Sequence, residues 1–264
     1  MNPETTMRLC EQSPTLDASW QKLYEGAFPE GEREPVEKLE RMVGDGRILY
    51  HRTLDETGEL LCFTLVTLGK DFAFLAYMAT NPARRSGGIG SRHLSQLIAV
   101  LKQQYPHYSG LFLEIEATAP TAITLTADEL ALRTRRKTFY ERIGARVMCE
   151  QGIYLTPSYT DRDKEWEGEL LGIEFNGPVC QETLSRIIRS IYHQMYQLSH
   201  DHPMVSKVLT HFATCAAGCH PSHHENDACH HEELQGHRGV FLLIMRLRAW
   251  LQELYSAVVR KLFG

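Results

Sequence analysis

The stretch Ala83-Arg84-Arg85-Ser86-Gly87-Gly88-Ile89-Gly90-Ser91 holds the residue types and spacing that most clearly point to chemistry. Three glycines within four positions let a backbone approach a ligand closely and take positive φ at little cost. Upstream, Phe72 to Thr80 is an apolar, aromatic run of strand length that ends at the turn pair Asn81-Pro82. Downstream, Leu94, Leu97, Ile98 and Leu101 recur at helical spacing. The glycines therefore lie on a strand-to-helix turn, where unpaired N–H groups and the helix dipole both favour an anion. Arg84 and Arg85 add charge beside it, and the expected occupant is a phosphate. The sequence has neither the Gly-x-Gly-x-x-Gly of a dinucleotide site nor the Gly-Lys-Ser/Thr of a triphosphate loop.

Further along, Gly110 to Ala117 reads as a strand with Glu114 and Glu116 two apart, hence on one face. Either carboxylate can draw a proton from an ammonium, directly or through a water, if a cleft raises its pKa. Asp128 to Ile143 reads as a helix stopped by Gly144, with Leu130, Phe139, Tyr140 and Ile143 partly periodic along it. Its charge run, Arg133, Arg135, Arg136 and Lys137, reads as a solvated face. Nine cysteines and histidines between Cys215 and His237 supply soft and imidazole ligands for Zn²⁺. Their spacing follows no zinc-finger framework, so the segment is read as a linker and no metal ligand is assigned.

The elements that must position these groups follow from periodicity. Met7 to Cys10 is a candidate first strand, and Asp17 can cap a helix bearing Trp20, Leu23, Tyr24, Ala27 and Phe28. A charged turn, Glu30 to Pro35, leads to a second helix from Val36 to Gly44 or Gly46. Three runs, Ile48 to Leu54, Leu60 to Leu68 and Phe72 to Thr80, separated by hairpin turns, predict an antiparallel meander feeding the glycine turn. Ala145 to Thr156 and Trp166 to Phe175 are expected to close the sheet. Glu182 to Phe212 has helical spacing broken by Pro203, and Val240 to Phe263 is a dense apolar helix candidate.

Two of these stretches carry a family resemblance. Arg85-x-x-Gly88-Ile89-Gly90-Ser91 resembles the Arg/Gln-x-x-Gly-x-Gly/Ala signature of the GNAT acetyltransferase superfamily, and Phe139 to Ala145 resembles its helix with a Tyr four residues before Gly-Phe or Gly-Ala. The likeness runs over about residues 7–177, by motif at these two places and by pattern elsewhere. It implies that the loop amides from Arg85 through Ser86, Gly87, Gly88, Ile89 and Gly90 to Ser91 hold the pyrophosphate of acetyl-CoA. It also implies that strand amides around Met78 and Thr80 orient the thioester carbonyl, that Tyr140 protonates the leaving thiolate, and that a strand carboxylate, Glu116 or Glu114, serves as base. Ala27-Phe28-Pro29 with Glu32-Arg33 looks like the acceptor-side helical pair. Two positions depart from the pattern: Arg136 stands where a small residue is common, and Ala76 where related sequences often carry Glu.

The resulting expectation is an α/β (α+β) fold, a GNAT-like mixed and mostly antiparallel sheet flanked by helices with a C-terminal helical extension. Residues 1–178 would form the acetyl-CoA-binding catalytic domain, 179–213 a helical appendage, 214–238 the Cys/His-rich linker and 239–264 an amphipathic helix. The expected activity is N-acetyl transfer from acetyl-CoA to a primary amine on a small molecule or peptide. The rivals are a degenerate acyl-CoA sensor or scaffold and a metal-responsive adaptor working through the Cys/His segment. A formal charge of −5 argues against nucleic acid as the main partner. No window is long and uncharged enough for a membrane span, and the last helix is read as packed, dimerising or lying on a membrane surface. Seven cysteines without a secretory opening point to a reducing, cytoplasmic setting.

Overall fold

In a computed structural model, residues 11–84, 87–150, 153–159 and 164–218 are described. The strands are β1 (Glu11–Ser13), β2 (Ile48–Leu54), β3 (Leu60–Leu68), β4 (Ala73–Thr80), β5 (Gly110–Glu116), β6 (Arg146–Val147), β7 (Tyr154–Pro157) and β8 (Glu165–Glu174). They form one sheet in the order β1-β2-β3-β4-β5-β8-β6, with β7 also on β8. The helices are α1 (Ala18–Ala27), α2 (Val36–Gly44), α3 (Ile89–Gln104), α4 (Ala127–Glu141), α5 (Gln181–Tyr196) and α6 (Pro203–Gly218). The expected mixed, mostly antiparallel sheet is observed: among the described strands only β4 and β5 run parallel.

That parallel pair is short. β4 and β5 are joined only over Ala73–Leu75 and Leu111–Leu113, so Ala76–Thr80 and Glu114–Glu116 part from one another and leave a gap in mid-sheet. A β-bulge accompanies the parting. Leu65 faces Tyr77 while Val66 faces Leu75, which makes Ala76 the extra residue. The alternation of β4 shifts there: Phe74, Ala76 and Tyr77 pack on one face, Leu75 and Met78 on the other.

Four helices cover the first face. α1 and α2 bring Trp20, Tyr24 and Leu39 onto Tyr50, Phe63 and Tyr77. α5 and α6 bring Ile187, Ile188, Tyr192, Val208 and Phe212 onto Phe74, Phe112, Tyr154 and Leu170. Ala76 touches both clusters, so the two helix pairs share this side. On the other face α3 lays Leu94, Leu97 and Leu101 against Val66, Leu75 and Leu111, with Phe139 and Tyr140 of α4 alongside. Buried among them, the imidazole of His93 spans Thr53 Oγ1 at 2.8 Å and Thr64 Oγ1 at 3.1 Å.

Local signals explain most boundaries. Asp17 Oδ1 accepts from Trp20 N at 2.9 Å to start α1, as expected, and Arg52 on β2 pairs with the same carboxylate at 2.8 Å. Thr126 and Glu129 form a reciprocal capping box that starts α4. Three expectations change. The first described strand lies at Glu11–Ser13, whereas Met7 to Cys10 falls outside the described residues. The single strand expected from Ala145 to Thr156 is two short ones, because the seven steps from Val147 to Tyr154 face only three steps of β8, from Leu171 to Gly168, and the excess loops out. Finally, the expected break at Pro203 comes earlier: α5 ends at Tyr196, capped by Gln197 in the left-handed region at φ 55°, and Pro203 opens α6 at a first-turn position where its missing N–H costs nothing. Cys149 is disulfide-bonded. No helix among the described residues is long and apolar enough to cross a membrane. The Cys/His-rich segment from 219 onward and the last helix candidate lie outside the described residues.

Candidate active site

The glycine turn joins β4 to α3 as the pattern predicted. Asn81 Oδ1 accepts from Ala83 N at 3.0 Å, and a single 3₁₀ turn, Pro82–Arg84, follows. Gly88 is the N-cap of α3 at φ 70°, with no side chain capping the helix, so the first N–H groups of α3 are left for a ligand. An added Cβ at Gly88 would meet nothing within 4 Å, whereas at Gly90 it would meet Thr80 Oγ1 at 3.3 Å, Met78 Cε at 3.4 Å and Phe139 Cζ at 3.5 Å. The glycines thus divide the work: Gly88 supplies backbone conformation, and Gly90 lets α3 lie against β4 and α4 instead of clearing room for a phosphate. Arg84 is not aimed at the turn, since it pairs with Glu59 at 3.3 Å and Asp55 at 3.7 Å. Arg92 braces the loop by donating to Gly87 O at 2.8 Å. Arg85 and Ser86 lie outside the described residues.

Beside the turn runs a groove of about 670 Å³ between the start of α3 and α4, with Ser91, Leu130, Arg135, Phe139 and Arg142 on its walls. The basic run on α4, expected to be a solvated face, is largely engaged. Arg133 donates to Ala117 O at 2.8 Å, Lys137 pairs with Glu169 at 2.6 Å, and Arg136 pairs with Glu116. Arg136 thereby fills the position where a small residue was expected. Tyr140 follows on α4, its ring edge-on to Phe139 at 5.0 Å and half-buried against the α3 cluster. Burial pushes its phenol up to about 12, which keeps it protonated and able to donate. No hydrogen bond of its hydroxyl is seen among the described residues.

The two candidate carboxylates separate sharply. Glu116, at the end of β5, is committed to Arg136 and partly open to solvent. Glu114 lies deeper, one oxygen accepting from the hydroxyl of Tyr154 on β7 and the other from Tyr196 at the end of α5. Burial raises its carboxyl to about 7, against the opposing hydrogen bonds from Tyr154, Tyr196 and Thr156. A carboxylate poised there takes and gives up a proton readily near neutral pH. Burial, then the Glu114 carboxylate, pushes the phenols of Tyr154 and Tyr196 upward.

These tyrosines are functional candidates that sequence reasoning missed. Tyr192 and Tyr196, one turn apart on α5, were the available signal, and they read as helix periodicity alone. Tyr159 lies against Tyr196 with ring centroids 5.4 Å apart and the rings tilted by 33°, and its backbone N–H reaches Gly31 O at 3.1 Å, tying the loop after β7 to the turn between α1 and α2. Tyr77 Oη accepts from Glu34 N and donates to Glu32 O, both at 3.1 Å, holding that turn on β4. Between these loops and the α5–α6 connection lies a pocket of about 480 Å³. Among the described residues no group of three or more His, Cys, Asp or Glu is arranged to hold a metal.

This fold is shared with known structures. A protein from Bacteroides thetaiotaomicron assigned to the GNAT family of acetyltransferases superposes with a TM-score of 0.53 at 22% identity, over 68% of this chain and 90% of that one. Arabidopsis thaliana NAA60 in complex with acetyl-CoA reaches 0.45 at 14% identity, over 65% and 100%, and an aminoglycoside 6'-N-acetyltransferase complexed with coenzyme A reaches 0.46 at 17%, over 65% and 100%. The first of these carries the assignment: the chain has the GNAT fold. No family model matches the sequence, and no curated protein matches it.

Proposed function

We propose that this protein is a GNAT-type N-acetyltransferase that moves the acetyl group of acetyl-CoA to a primary amine by direct attack. The observation that carries this reading is the gap where β4 and β5 part, with the uncapped N-terminus of α3 following β4 and Glu114 on the parted stretch of β5. The backbone from Arg85 to Ser91 would hold the pyrophosphate, the turn residues Gly87, Gly88, Ile89 and Gly90 included. The edge of β4 from Met78 to Thr80, without a strand partner on the β5 side, would orient the thioester carbonyl. Of the two carboxylates, Glu114 is the base, because Glu116 is neutralised by Arg136. Tyr140 is the donor to the departing thiolate.

The balance is simple. An alkylammonium gives one proton to Glu114, the freed nitrogen lone pair forms the C–N bond, and the tetrahedral intermediate collapses with cleavage of the C–S bond. The nitrogen sheds its second proton to solvent as the thiolate gains one from Tyr140; the Tyr140 phenolate then takes a proton back from solvent and Glu114 gives up its own, leaving amide, CoA thiol and one released proton overall. Holding the reactants in this gap supplies much of the rate. The acceptor is a small-molecule or peptide amine, and a cytoplasmic location is kept as part of this reading. The test is thiol release and mass-spectrometric detection of acetylated product during incubation with acetyl-CoA and a panel of primary amines. Absence of acetylated product across the panel, with CoA still bound, would favour a binding role over catalysis.

A further inference from the structure

The pocket of about 480 Å³ is built from two sources: Glu34 and Lys38 at the start of α2 with Pro157–Tyr159 after β7 form one side, and the α5–α6 connection forms the other. Tyr196 is the last residue of α5, lines this pocket, and donates its hydroxyl to Glu114. Tyr154, which holds the other carboxylate oxygen, is not on the pocket wall, and neither is Glu114. Of the two phenols bonded to that carboxylate, only Tyr196 therefore joins it to the pocket. The walls also suit a particular guest. Tyr159 and Tyr196 offer aromatic rings to a cation, while Met195, Leu198 and Met204 offer an apolar surface for what the cation is attached to. Lys38 is held by Glu34 at 2.5 Å.

We propose that the α5–α6 hairpin completes the acceptor site, that this pocket takes a primary ammonium on a short apolar or aromatic stem, and that the ammonium proton leaves through Tyr196 to Glu114. In this step an N–H bond of the ammonium breaks and its proton passes to Tyr196 Oη as the Tyr196 O–H proton moves to Glu114 Oε2. The phenol is unchanged overall, the amine becomes neutral, and Glu114 becomes protonated. The groups facing Glu114 are Tyr154 and Thr156 of β7, Tyr192 and Tyr196 of α5, and Tyr159 of the following loop. The inference rests on the acetyltransferase reading above.

Butylamine and phenethylamine serve as probes, with calorimetry on the CoA-bound protein for binding and thiol release for turnover. Tyr196→Phe keeps the ring and removes the relay. It should leave amine affinity within about 3-fold, lower kcat by roughly 10-fold or more, and move the acid limb of the pH profile upward, since Glu114 loses a hydrogen bond that supports its charged form. Ser199→Trp, at an exposed position on the pocket wall, should weaken amine binding by about 10-fold or more and leave CoA affinity unchanged. If both amines are acetylated but Tyr196→Phe has wild-type kcat and pH profile, the relay is wrong while the acetyltransferase reading stands. Unchanged amine affinity in Ser199→Trp overturns the pocket assignment. If neither amine is bound or acetylated, while other amines in a broader panel are, the stem preference is overturned. Binding without acetylation of any amine overturns the catalytic reading and the relay with it.

Discussion

In the proposed reaction Tyr140 and Glu114 would act at opposite ends, and their surroundings make different predictions. The Tyr140 hydroxyl has no partner among the described residues, so removing it should cost little stability. Tyr140→Phe is expected to lower kcat by about 10²–10⁴-fold with CoA affinity and melting temperature close to wild type. Single-turnover rates and a thermal melt on one preparation check this; near-normal turnover would assign the phenol to packing. Glu114 differs because its environment works against its charge. Its carboxyl ordinarily titrates at 4.5 and burial lifts it to about 7, so the folded protein keeps a proton that the unfolded chain has released. This group's contribution to stability is therefore present below 4.5 and is lost as pH rises through about 7. Activity runs the other way, because the base must be ionised. Glu114→Gln should abolish the acid limb near pH 7, lower kcat by about 10²-fold or more, and flatten the loss of urea stability across that window.

At the scale of elements, the turn between β4 and α3 carries two glycines with distinct duties. Gly88 adopts φ 70° in open space, so Gly88→Ala is expected to cost about 1 kcal/mol and to disturb the loop proposed to bind the pyrophosphate. Gly90 is wedged against Thr80, Met78 and Phe139, and Gly90→Val should overpack that contact by about 1–3 kcal/mol and push α4, with Tyr140, away from β4. Calorimetry with CoA alongside chemical denaturation distinguishes them. Gly88→Ala should lose affinity out of proportion to stability, and Gly90→Val should lose both. Equal losses in the two variants would mean that the glycines do the same job.

For the whole molecule, the helices after residue 178 belong to the core. Phe74, Phe112, Tyr154, Leu155 and Leu170 are covered by α5 and α6, and each large apolar side chain uncovered costs about 1.5–3 kcal/mol, enough for a handful of them to exceed the stability of an ordinary domain. A chain ending at Gly218 should fold and bind CoA like the full protein, while one ending at Pro178 should be insoluble or unfolded by circular dichroism. A folded, CoA-binding 1–178 fragment would show that the extension is dispensable, as a separate appendage would be.

Much of this was legible in the sequence because it depends on short-range chemistry. Alternation and turn residues place β2, β3 and β4 where the structure has them, the Asp17 cap starts α1, and the glycines after Asn81-Pro82 define a strand-to-helix turn, all within a few residues of chain. The same holds for Glu114 and Glu116 sharing a face, since a strand repeats every two residues. What periodicity left open was which of the two is withdrawn from solvent and which is ion-paired. That depended on partners 40 and 82 positions away, Tyr154 and Tyr196, which withdraw Glu114 from solvent, and on Arg136, which neutralises Glu116. Nor does any local pattern reveal that β4 and β5 part after three pairs, or that Gly90 faces protein instead of ligand. Burial, charge pairing and the width of a gap are properties of chains brought together from distant positions, and only the tertiary structure decided them.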